Sequence, residues 1–127
     1  MVRPIEVMKF GGTSVGDPSA IRRAAELVAE AVRQSAVVTV VSAMSGVTNA
    51  LVAAANRAER GDEAAATELT ESLIRIHAPA IEALIGSESR RSKLQAETKS
   101  LIAEAERLCR GAALLKEITP RTMDAIS

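Results

Sequence analysis

The sequence predicts an α/β fold that starts on a parallel sheet and continues into a helical hairpin. Three observations lead there. Two short apolar runs, residues 5–10 and 36–41, each stop at a loop of small residues. Between them apolar residues recur at helical spacing, so a crossover helix joins two parallel strands. Beyond Gly61 the pattern becomes wholly helical, and twenty-four alanines in 127 residues suit close-packed helices. A chain of this length supports one domain core, not two well-formed ones.

Residues 1–60 read as βαβα. Ile5 to Phe10 is a strand ending at Gly11-Gly12, and Asp17-Pro18 supplies an N-cap with proline at the first helical position. Ile21, Ala24, Ala25, Val28, Ala31 and Val32 give that helix its apolar face. Ala36 to Val41 is β-branched and almost uninterrupted, the pattern of a strand buried on both faces. After a second small-residue loop, Ser42 to Gly46, helical periodicity resumes from Val47 to Arg60.

Residues 61–117 read as the hairpin. Leu69, Leu73, Ile76, Ala80 and Ala83 alternate spacings of four and three, and Pro79 is expected to kink or split that helix. Gly86-Ser87 ends it. Leu94, Leu101, Leu108 and Leu115 then repeat every seven residues, with Ala105 and Ala112 between them, and are expected to form the seam against the first helix. The same stripe could pair between chains as an interaction or dimerisation module, but four heptads without a flanking charge pattern favour a hairpin. Ile118-Thr119-Pro120 reads as a break, and residues 118–127 as the start of a further helix.

Composition excludes several functions. Sixteen Lys+Arg balance sixteen Asp+Glu, and Phe10 is the only aromatic, so neither a phosphate backbone nor stacked bases would find a partner. With Cys109 the only cysteine, an intrachain disulfide is impossible; with His77 the only histidine, a metal centre has little support. No apolar run approaches the length of a membrane span, and the N-terminus lacks a signal-peptide core, so a cytoplasmic protein is expected.

The chemistry lies in Lys9-Phe10-Gly11-Gly12-Thr13-Ser14-Val15-Gly16. A strand ending in lysine turns through glycines and hydroxyls into a helix, and glycine lets backbone N–H groups approach an anion closely. A Walker A loop places its lysine after the last glycine, and a dinucleotide fingerprint separates its glycines; neither fits. The second loop, residues 42–49, also follows a strand and opens a helix. Ligands of parallel sheets bind outside the carboxyl ends of the strands, so the two loops are expected to converge on one crevice.

Lys-Phe-Gly-Gly-Thr-Ser-Val at 9–15, together with Val-Val-Ser-Ala-Met-Ser-Gly-Val-Thr-Asn at 40–49, closely resembles the aspartokinases of the amino acid kinase family. Residues 118–127 resemble the stretch preceding that family's Ser-x-Gly-Glu segment, and the hairpin resembles the insertion of its longer members. The resemblance implies a carbamate kinase-like parallel-sheet domain. It also implies ATP-dependent phosphorylation of the L-aspartate β-carboxylate to 4-phospho-L-aspartate, the first step toward lysine, threonine and methionine. Under it, Lys9 contacts the transferring phosphoryl group, and Gly11, Gly12 and Thr13 bind ATP phosphates. Ser14, Ser42 and Thr48 bind the amino-acid substrate. Mg2+ arrives with ATP, and the full-length protein is a homo-oligomer. The family's substrate-binding glutamate, adenine pocket and regulatory domains correspond to sequence after Ser127, so the 127-residue chain alone is expected to be inactive. A related kinase acting on another carboxylate or a carbamate is the alternative within the same fold.

Overall fold

The computed structural model describes residues 2–126, with side chains through residue 116. It divides into two compact units, Met1–Ser45 and Gly46–Ser127. The division falls earlier than the change of sequence character at Gly61.

In the first unit, strands β1 (Ile5–Phe10) and β2 (Ala36–Val41) flank helix α1 (Pro18–Val32) in sequence. The strands pair in parallel, with Ile5 beside Ala36 and Phe10 beside Val41. Asp17 is extended, and its side chain accepts from the Ala20 N–H at 2.8 Å, with Pro18 opening the helix. Such a cap contributes about 1 kcal/mol. The Arg3 guanidinium donates to the Val32 carbonyl at the far end of α1, and the Ala36 N–H donates to the Pro4 carbonyl at 2.8 Å. Phe10, Val15 and Ala24 form the buried centre, with Met8, Ile21 and Val28 packed around it.

Strand alternation puts Met8 and Phe10 toward α1 and Ile5 and Val7 on the other face. Ile5 and Val7 are 75% and 65% exposed, and Val38 and Val40 beside them are exposed as well. The expectation that β2 is buried on both faces is therefore corrected. An uninterrupted β-branched run makes a strand that can be covered twice, but in this unit one helix covers one face.

The second unit holds α2 (Val47–Glu59), α3 (Ala64–Leu84) and α4 (Glu88–Ile126), all three packed together. Gly46 (φ +89°) precedes α2 and Gly61 (φ +83°) turns α2 into α3; both occupy the left-handed region that favours glycine. At the second turn Asp62 accepts from the Ala64 N–H at 3.0 Å and from Arg57 Nε at 2.8 Å, and Arg57 also pairs with Glu68. α3 and α4 run antiparallel as expected: Thr70 Oγ1 donates to Glu106 Oε2 at 2.8 Å, and beside the turn Arg91 donates to the Ile85 carbonyl at 3.1 Å.

Three expectations change here. Pro79 lies inside a continuous α3 and does not split it. α4 continues to Ile126, so no break occurs at residues 118–120. Proline at either place removes one helical hydrogen bond, a loss that the rest of a long helix carries. The third change concerns the leucine seam. Leu69, Leu73 and Ala80 of α3 are buried, but Leu101, Leu108 and Leu115 of α4 are 66%, 70% and 65% exposed. α4 buries Ile102 and Ala113 instead. The reason is steric. Ala54 and Ala58 of α2 and Ala65 and Ala66 of α3 are buried, and alanine surfaces of this kind pack only when helix backbones approach closely. Ala113 permits that approach and a row of leucines does not; Ile102 is the one large side chain that α4 buries among the described residues.

Cys109 is half-buried, with Sγ 3.8 Å from the Ala54 carbonyl, and His77 Nδ1 lies 2.7 Å from the Leu73 carbonyl of its own helix. Both make contacts to backbone carbonyls inside the helical unit. No helix among the described residues is long and apolar enough to cross a membrane.

The Arg57 guanidinium holds the Asp62 carboxyl below its ordinary value of 3.8, and Arg110, helped by Thr70, lowers that of Glu106. A depressed folded-state pKa gives stability that is present above the unfolded value and lost as pH falls through the folded one. The urea midpoint of the chain should therefore drop as pH is lowered below about 4. Asp62→Asn should flatten that dependence, and an equally steep fall in the variant would remove Asp62 from the account.

Candidate active site

The first loop is pinned at both ends. Phe10, buried under α1, fixes the end of β1, and buried Val15 fixes the far side. Between them Gly11 is extended (φ −73°, ψ 177°), and the Ser14 N–H donates to its carbonyl at 3.0 Å, closing a 3-10 turn over Gly12–Val15. Gly11, Gly12, Thr13 and Ser14 are all exposed on this anchored turn. A Cβ at Gly11 would meet nothing within 4 Å, so the space beside its backbone is open.

The second loop leaves β2 immediately beside it. The Ser42 N–H donates to the Phe10 carbonyl at 3.1 Å, continuing the ladder past the strand end. A Cβ at Gly12 would stand 3.8 Å from Ser42 Oγ. Farther along, the Ser45 N–H donates to the Gly16 carbonyl at 3.2 Å. Parallel pairing brings the carboxyl ends of both strands to one edge of the sheet, so the loops are neighbours because the topology makes them so.

Lys9 pairs with Val40 one residue before the strand end, on the face away from α1. It is exposed, and its ammonium makes no ion pair among the described residues. Lys9, Gly11, Gly12, Thr13, Ser14 and Ser42 thus all belong to the strand ends of the first unit. A shallow cavity of about 320 Å³, lined by Thr13, Ser14 and Arg23 among others, adjoins the first loop on its α1 side. Thr48 is exposed in the first turn of α2, in the second unit.

Two residues of this region carry more than the sequence disclosed. Gly16 ends the first motif and Ser45 lies within the second loop, yet they touch each other. Residues 29 apart carry no local signal of such a contact. Among the described residues, no group of three or more His, Cys, Asp or Glu stands together to hold a metal ion.

The sequence model of the amino acid kinase family matches residues 4–124. Aspartokinase 1, chloroplastic, of Arabidopsis thaliana is 33% identical over 120 residues, which is 93% of this chain and 20% of that protein. An aspartokinase of Rickettsia felis is 47% identical over 51 residues, 39% of this chain and 13% of that protein. The chain therefore spans about a fifth or less of the length of these relatives. The parallel strands with glycine- and serine-bearing loops at their carboxyl ends, and the match across residues 4–124, lead to one conclusion: the chain belongs to the amino acid kinase family.

Proposed function

We propose that this chain is the N-terminal part of an aspartokinase kinase domain, with residues 61–117 as its helical insertion. On this reading the whole protein transfers the γ-phosphoryl group of ATP to the β-carboxylate of L-aspartate. The observation that carries the proposal is the adjacency of the two loops at the strand ends, with Gly12 against Ser42.

The acceptor carboxylate is already an anionic nucleophile, so no side chain has to be activated and catalysis rests on positioning and charge neutralisation. Lys9 supplies a mobile point charge to the transferring phosphoryl oxygens. The open backbone at Gly11 and Gly12 offers N–H donors, and Thr13 adds a hydroxyl on the ATP side. Ser14 and Ser42 line the acceptor side, and Thr48 keeps the substrate contact that the resemblance implies. Magnesium arrives with ATP, held by phosphate oxygens.

The test is ADP release with and without L-aspartate, for the full-length protein and for the 127-residue chain. The full-length protein should release ADP only when L-aspartate is present, and the chain alone should release none. Release stimulated by another carboxylate or by carbamate, with L-aspartate inert, would assign the protein to a different acceptor. Turnover by the chain alone would show that the remainder of the site has been misplaced.

A further inference from the structure

The contact between Gly16 and Ser45 joins the two loops that carry the proposed site, and it leaves room at position 16 for no more than a methyl group, and for that only if Ser45 Oγ swings away. Gly16 has φ −71° and ψ −28°, ordinary helical values that any residue adopts, so its backbone does not call for glycine. Space does. A Cβ there would fall 2.5 Å from Ser45 Oγ, 3.0 Å from the Gly12 carbonyl oxygen and 3.6 Å from Ser45 Cβ. The same two residues share the hydrogen bond from the Ser45 N–H to the Gly16 carbonyl. Gly16 therefore touches the second loop at Ser45 and the first loop at Gly12.

We infer that Gly16 is a positioning residue whose contact with Ser45 sets the spacing between the phosphate-side and acceptor-side loops. The inference rests on the proposed function for what the loops bind, but the contact stands on the geometry alone. One methyl group can be relieved, because Ser45 Oγ ends a short rotatable side chain and can swing away, leaving only the 3.0 Å approach to the Gly12 carbonyl. A longer side chain meets Ser45 Cβ and the Gly12 carbonyl, which cannot rotate aside. It pushes the second loop, with Ser42, away from Gly12.

The prediction is graded. In the full-length protein, Gly16→Ala should keep KM for L-aspartate and ATP within about threefold of wild type. Gly16→Leu should raise KM for L-aspartate by about tenfold or more and lower kcat with it, since a misplacement of about 1 Å can cost on the order of a hundredfold. Ser45→Gly in the Gly16→Leu background should recover part of that loss. A merely structural defect would lower kcat through the active fraction and leave KM unmoved. In parallel, amide 1H–15N shifts of the 127-residue chain report the contact without any activity. Gly16→Leu should move the Gly12, Ser42 and Ser45 resonances and leave those of α3 in place. Unmoved resonances, or unchanged KM in an active Gly16→Leu enzyme, would overturn the inference. Moved resonances in a protein whose wild type ignores L-aspartate would retain the loop contact and reject the acceptor reading instead.

Discussion

Replacing Lys9 with alanine in the full-length protein should lower turnover about 10²–10³-fold, the usual cost of removing one electrostatic partner from developing transition-state charge. Stability should change by about 0.5 kcal/mol or less, as for surface substitutions that touch no packed feature. The two expectations separate because of where Lys9 stands. Its backbone holds the sheet register against Val40, a role any residue fills, while its side chain is exposed and pairs with nothing among the described residues. The ammonium is thus free to act on a ligand. Lys9→Arg should recover only part of the activity, since a planar guanidinium does not reproduce a compact point charge. Measured kcat and KM beside a urea denaturation curve decide the matter. An active, equally stable Lys9→Ala enzyme would end the case for this residue, and an unfolded one would recast it as structural.

Leu73→Ala should destabilise the helical unit by about 2–5 kcal/mol, and Leu108→Ala by about 0.5 kcal/mol or less. Leu73 is only 5% exposed in the centre of α3, whereas Leu108 stands mostly in solvent on α4. A heptad seam read from the sequence would make the two substitutions comparable. Denaturation followed by helical circular dichroism on the 127-residue chain distinguishes the readings. Equal losses would restore the leucine seam and contradict the packing described above.

The elements written in local chemistry were legible. Asp17-Pro18 announces α1, the apolar runs announce both strands, and their helical connection fixes parallel pairing. The first loop was legible for the same reason, since glycines, hydroxyls and a terminal lysine within eight residues define what its backbone can offer. Features set by neighbours were not. Whether β2 is covered once or twice depends on how many layers meet the sheet. The buried face of α4 belongs here too, because a seven-residue repeat picks out its largest apolar side chains, Leu101, Leu108 and Leu115, and these stand exposed. Against the alanines of α2 and the alanines and leucines of α3, burial falls instead on Ile102 and Ala113, which lie beside the leucines on the same helix. The contact of Gly16 with Ser45 belongs to this second class, since neither residue has a property that names the other.

Hydroxylamine trapping tests the central claim, carboxylate phosphorylation at the paired loops, most directly. Hydroxylamine attacks the carbonyl carbon of an acyl phosphate, forming a hydroxamate and releasing inorganic phosphate. The full-length protein, given ATP, magnesium and L-aspartate, should accumulate the β-hydroxamate of aspartate in step with ADP, and Lys9→Ala should slow both together. ADP formed from ATP and L-aspartate without any hydroxamate would contradict the account.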